Sequence, residues 1–217
     1  VDEAFQAECG RLATEVRGLG GAEFGRPTRC APWTVAELLA HVRTATGRLT
    51  AMLAEPAPAA ADVDAAGYYR PGLFGAEVND ARIDRARQDA AAVTGPALAE
   101  DFERTWRAVA ARVTAEPPGR LVRTRHGDGM RLDHFLLTRV VEVGVHGLDL
   151  ADALGRDPWL TEPAAAAIAA LLGGPDVPAG LGWDRLTFIR KATGRLTLTG
   201  PERADIDRRG VRWLTLG

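Results

Sequence analysis

Apolar residues recur at spacings of three and four along much of this chain, the period of a helix with one buried face. Phe5, Cys9, Leu12, Val16 and Leu19 mark a first helix over residues 2–18. The glycine- and proline-punctuated GLGGAEFGRPTRCAP then reads as a loop. Thr34 with Glu37 three residues on is a capping box, so a second helix starts at Thr34 and runs to about Ala54. Residues 55–72 form a loop long enough to suggest a role of its own. A third helical region covers about 74–115 with a break near VTGPAL, where Thr94 or Gly95 caps a second part and Pro96 sits in its first turn. Phe102, Trp106, Val109 and Val113 make its apolar stripe. Gly127 and Gly129 carry turn chemistry. A long helix over about 131–154 ends near Gly155.

Four long helices predict a helical bundle for residues 1–155. From residue 156 the texture changes, and 156–217 is expected to be a small C-terminal α+β appendage. In it, TEPAAAAIAALL and LGWDRLTFIRKATG read as helices, the first capped by Thr161. RLTLTG and GVRWLTLG read as two short strands.

Two helices carry polar residues where the pattern asks for apolar ones. His41 falls between Leu38 and Ala45 on the inward stripe of the second helix. The last bundle helix is apolar nearly all round, apart from one line through Phe135, Arg139, Glu142, His146, Asp149 and Ala153. Polar groups on a buried line need partners, because an unpaired one costs about 1–3 kcal/mol. Glu142 and His146, at i and i+4, can reach one metal ion from a single helix. His41 is the best third ligand from another helix, and three protein ligands leave a fourth position open, as in catalytic zinc sites. The same three residues also fit a buried polar network without metal. Gly144 and Gly147 cost about 1 kcal/mol each inside a helix, which makes sense where another element packs closely. His126, in a glycine-rich turn, and His134, off the polar line, are lesser candidates. Cys30 has no base near it in sequence to activate it as a nucleophile.

Composition narrows the choices. The 217 residues are 46% hydrophobic with a formal charge of −2, so a sizeable core is available and nothing points to nucleic acid or an anionic membrane. No apolar run is long enough to cross a bilayer. The acidic start VDEAFQAECG lacks the sections of a signal peptide, so a cytoplasmic protein is expected. Two cysteines make no disulfide framework or zinc ribbon. Lys191 is the only lysine among 27 basic residues, a bias that fits a genome of high G+C content.

CAPWTVAELLAHV and TRVVEVGVHGLDLADALG together resemble the mycothiol-dependent maleylpyruvate isomerase family, part of the DinB-like superfamily of metal-binding four-helix bundles. The first carries the family's Trp-Thr-Val…Leu-Leu-x-His pattern, the second its Glu-x-x-x-His-Gly-x-Asp-Leu pattern. WDRLTFIRKATGR resembles the small C-terminal region of these proteins. The resemblance implies a metal site, usually zinc, on His41, Glu142 and His146, with mycothiol as co-substrate. Mycothiol is the low-molecular-weight thiol of actinobacteria, which agrees with the lysine-poor composition.

The implied reaction is thiol-dependent cis–trans isomerisation of an electrophilic small molecule. An S-transferase would use the same site, and a metal-containing binding protein without turnover is the reading from another class. Arg82, Arg139 and Tyr69 are the candidates for holding the second substrate, and Asp149 for orienting a ligand. The loop bearing Tyr68, Tyr69 and Arg70 would act as lid or grip. Family isomerases use a C-terminal arginine, for which Arg185, Arg190 and Arg195 are the possible equivalents. The expected partners are small molecules alone, with the chain a monomer or homodimer.

Overall fold

The Thr34 side chain accepts the Glu37 amide, and Glu37 reaches back to the Thr34 amide at 2.7 Å. Helix α3 (Val35–Ala54) starts at this cap, as the sequence predicts. The structure, a computed structural model, describes residues 1–70 and 76–214, with the backbone alone for 76–79. Helix α1 spans Asp2–Arg17, and a single extra turn, α2 (Gly21–Phe24), interrupts the loop expected after it. The third helical region divides as expected into α4 (Ala76–Ala91) and α5 (Gly95–Thr114), with Thr94 capping α5. Its expected start at residue 74 lies outside the described residues. Helix α6 (Leu132–Leu154) ends on Gly155, whose φ of +66° places it in the left-handed region that favours glycine at a helix C-terminus.

Helices α1, α3, α5 and α6 pack as a ring of four, α1 and α3 each touching both α5 and α6. Helix α6 is the most enclosed, with every residue from Thr138 to Ala151 buried. That is the placement its all-round apolarity demands. Gly144 and Gly147 let α7 (Glu162–Leu172) and the residues before it approach. A Cβ at Gly144 would lie 2.9 Å from Ile168 and Leu160, and one at Gly147 3.0 Å from the Trp159 indole.

The glycine turn is the tip of a β-hairpin. Strands β1 (Leu121–Arg123) and β2 (Gly129–Arg131) pair antiparallel, with Val122 opposite Met130. The hairpin is stitched to the long loop. Asp62 exchanges hydrogen bonds with Gly129, and Arg70 grips both carboxylate oxygens of Asp128 at 3.0 and 2.8 Å. A 3₁₀ turn at Gly67–Tyr69 packs Tyr68 edge-on against Phe135 of α6.

The C-terminal region departs from expectation. Beyond α7 it holds α8 (Val177–Gly180), α9 (Arg185–Ala192) and α10 (Gly200–Arg208), and no strand among the described residues. The stretch expected as a first strand leads into α10 instead, because Thr199 and Glu202 form a second capping box and Pro201 sits in the first turn. Val211–Leu214 runs without a strand partner, joined to Leu172 and Ala192 by single backbone hydrogen bonds. The final three residues of the second expected strand lie outside the described residues. The appendage is therefore helical, and its apolar side chains join the same buried cluster as the bundle.

Candidate functional site

Helices α3 and α6 bring His41, Glu142 and His146 together. His41 Nε2 lies 2.6 Å from Glu142 Oε1, and His146 Nε2 lies 3.7 Å from the same oxygen. One ligand atom from each residue falls within 4.8 Å of the other two, and all three residues are buried. Burial lowers the His41 pKa to about 4 against the pull of Glu142, so the imidazole is neutral. Burial alone would raise the Glu142 carboxyl. The His41 hydrogen bond and the Arg139 charge override it and hold the group well below the usual carboxylate range. Two imidazoles and one carboxylate make a donor set that suits a divalent metal with a fourth position open. His146 fits too, because Nδ1 is engaged by Asp149 Oδ2 at 3.0 Å, which leaves Nε2 to face Glu142 and His41.

Trp33, at the end of the loop before α3, stacks on His41 with ring centres 4.7 Å apart, and the Arg82 guanidinium lies over the other ring system of this stack, 5.7 Å from Trp33. Arg82 belongs to a cavity of about 560 Å³ that reaches His41 and is lined also by Arg48, Arg85 and Arg125. Burial depresses the pKa of both Arg48 and Arg82. Arg82 Nε has no hydrogen-bond partner among the described residues. The hairpin tip supplies Arg125, and α3 supplies Arg48 two turns after His41. This wall suits a ligand carrying negative charge.

The other expected substrate residues lie elsewhere. Arg139 is buried behind Glu142, bonded to the Ala45 carbonyl at 3.2 Å and stacked over Phe135 at 4.9 Å. It lends its charge to Glu142 from there. Tyr69 donates its hydroxyl to the Thr138 carbonyl at 3.2 Å, which ties the long loop to α6. Arg185 pairs with Glu162 at the surface, and Arg190, partly buried, pairs with Asp152. His126 and His134 stand outside the three-residue cluster. Arg48 and Arg125 escaped the sequence reading, and Trp33 entered it only as part of the family's pattern, without a role. Only Arg48 had a signal, its place on the face of α3 that carries His41.

A second cluster, Cys30, His146 and Asp149, has metal-like spacing, but Arg195 already supplies its cation. The guanidinium holds Asp149 Oδ1 at 3.0 Å and Oδ2 at 2.7 Å. Burial first, then the charge of Asp149, pushes the Cys30 thiol up to about 12, so it stays protonated and donates to Asp149 at 3.2 Å. Neither a thiolate ligand nor a ready nucleophile results.

The comparisons with known proteins bear on the family and the fold. The family described as the mycothiol maleylpyruvate isomerase N-terminal domain matches residues 5–151, which contain all three clustered residues. No curated relative matches the sequence. Among solved structures, the fold is similar to that of a mycothiol-dependent maleylpyruvate isomerase, with a TM-score of 0.53 at 18% identity. It is also similar to a His-to-Ala mutant of a protein so described, with a TM-score of 0.55 at 19% identity. Each match covers 78% of this chain and 66% of the other, so the chain spans just under two thirds of these neighbours' length. Among the described residues no helix is long and apolar enough to cross a membrane. With the match covering well over half of its length, the chain belongs to the mycothiol maleylpyruvate isomerase family.

Proposed function

We propose that this chain is a cytoplasmic, zinc-dependent enzyme that uses a low-molecular-weight thiol such as mycothiol to isomerise an anionic, electrophilic cis-alkene of the maleylpyruvate type. The observation that carries this reading is the convergence of His41, Glu142 and His146 beside an arginine-lined cavity. His41, Glu142 and His146 would hold the metal, with Asp149 orienting His146. Bound there, Zn²⁺ is a Lewis acid that favours the thiolate form of a coordinated thiol.

The residues of the chain do the rest. Arg82, Arg48 and Arg125 bind the substrate carboxylates and stabilise the negative charge that develops toward them as sulfur adds to the double bond. Addition turns that bond into a single bond, rotation follows, and expulsion of the same sulfur leaves the trans isomer with the thiol regenerated. Trp33 holds the His41 ring by stacking, and the apolar residues of α3 and α6 keep water from the ligand side chains.

Two measurements test the proposal. Elemental analysis should find about one zinc per chain in the wild type and none in His41→Ala or His146→Ala. The zinc-loaded protein with mycothiol should convert maleylpyruvate to its trans isomer without net loss of thiol. Steady consumption of thiol with a stable adduct would replace the isomerase reading with an S-transferase. Absence of zinc uptake would overturn the metal site itself.

A further inference from the structure

His146 is held from the side away from Glu142. Its Nδ1 meets Asp149 Oδ2, and Asp149 is 0% exposed. That one carboxylate collects groups from three parts of the chain. Cys30 comes from the loop before α3, His146 from α6 itself, and Arg195 from the segment after α9. Arg29 stands just beyond, with Nε 3.8 Å from Asp149 Oδ1, and bonds the Gly194 carbonyl at 2.8 Å.

Arg195 reaches this point because the chain turns at Gly194, whose φ is +73°, a conformation that glycine adopts without steric cost. Its guanidinium is spent in full view of Asp149. Nε and Nη2 take one oxygen each, and Nη1 donates to the Thr193 carbonyl at 2.6 Å. At 7% exposure, and absent from the lining of the arginine cavity, Arg195 is placed to act on Asp149 and not on a substrate. A fork on both oxygens leaves the carboxylate one orientation, which a lone hydrogen bond from His146 would not impose.

We propose that Arg195 is a positioning residue for the metal centre. By locking Asp149 it keeps His146 in the Nδ1–H tautomer, with Nε2 aimed at Glu142 and His41. The C-terminal region thereby sets the geometry of a ligand that belongs to the bundle. The proposal rests on the three-ligand reading above for its effect on metal binding, while its effect on the imidazole stands without metal.

The experiment compares wild type, Arg195→Met, Arg195→Lys, Asp149→Asn and, as a control whose carboxylate partner is Asp152 and not Asp149, Arg190→Ala. The first readout is the ¹⁵N spectrum of the histidine side chains in the zinc-free protein. The second is the zinc dissociation constant by competition with a chromophoric chelator. We expect His146 to be a single Nδ1–H tautomer in wild type and Arg190→Ala. In Arg195→Met it should become a mixture, with zinc bound about tenfold more weakly, the lower end of the range for outer-sphere partners. Arg195→Lys, which keeps the charge but not the fork, should fall between, and Asp149→Asn should be at least as impaired as Arg195→Met. An unchanged tautomer and a zinc constant within about twofold of wild type in folded Arg195→Met would overturn the proposal. Should that variant not fold, Arg195→Lys decides by the same two readouts. If wild type takes up no zinc, the three-ligand reading fails, and the tautomer comparison still decides the role of Arg195.

Discussion

Arg82 and Arg139 both had a claim on an anionic substrate in the sequence, and Arg139 the stronger one, because it shares a helix face with Glu142. The structure separates them by what already occupies their donors. Arg139 is committed to the Ala45 carbonyl and to the faces of Phe135 and Tyr68, whereas Arg82 Nε has no such partner among the described residues. A partly buried guanidinium with free donors gains most from a bound carboxylate, because a charge-assisted hydrogen bond formed there is worth about 1.5–3 kcal/mol. Arg82→Ala and Arg48→Ala are therefore expected to raise KM for an anionic substrate by about tenfold or more, with zinc content unchanged. Steady-state kinetics beside elemental analysis checks this. A loss of zinc in either variant would mean that these residues support the metal cluster instead. His41 shows what could be read early at this scale. A histidine between Leu38 and Ala45 announces burial, but its stacking on Trp33 depends on a loop whose course no spacing rule describes.

Elements that pattern alone could place are those with a period and a cap. Thr34 and Glu37 open α3, Thr94 opens α5, and Gly155 closes α6. The hairpin was visible only as turn chemistry, and its two glycines turn out to serve different ends. Gly127 supplies a φ of +90° at the tip. Gly129 is needed for space, since a Cβ there would lie 2.0 Å from the Ala60 carbonyl oxygen. Gly129→Ala must push the long loop off the hairpin and break the exchange with Asp62. We expect a loss of about 1–3 kcal/mol, the usual cost of overpacking, read by chemical denaturation. Limited proteolysis should find the first new cuts within residues 55–70. A variant as stable and as protected as wild type would show that the loop is not held by this stitch. The missed helix α10 teaches a related lesson. Leu196 and Leu198 alternate like a strand, but a strand needs a neighbour to bond, and the capping box at Thr199 and Glu202 needs none.

Across the whole molecule, the bundle and the C-terminal region share one buried cluster, and a second carboxylate spans them. Glu8 of α1 accepts hydrogen bonds from the Thr161 amide and hydroxyl at 2.8 and 2.7 Å, at the start of α7. Its other oxygen has no partner among the described residues. Burial raises the Glu8 pKa above the ordinary value of 4.5, against the Thr161 hydrogen bonds and the charge of Arg11. The folded chain therefore holds this proton to higher pH than the unfolded chain does. Stability contributed by the group is present below the ordinary value and is lost as pH rises through the raised one. Glu8→Gln, which cannot ionise, should gain on wild type progressively as pH rises above the ordinary value and then keep a constant lead. Urea denaturation across pH measures it, and a lead that does not change with pH would place the Glu8 charge outside the balance.

The sequence by itself determined the helical periods, the caps, the polar line on α6 and the membership that those residues share with a family. These are local, because period and cap act within a turn or two of the chain. Only the tertiary structure decided which arginine faces the cavity and which is spent on a carbonyl. It also decided that Arg195 closes on Asp149, 46 residues away. The donors of a long side chain go to whichever acceptors the fold brings within 3 Å, and that distance is set by packing between elements, which no spacing along the chain records.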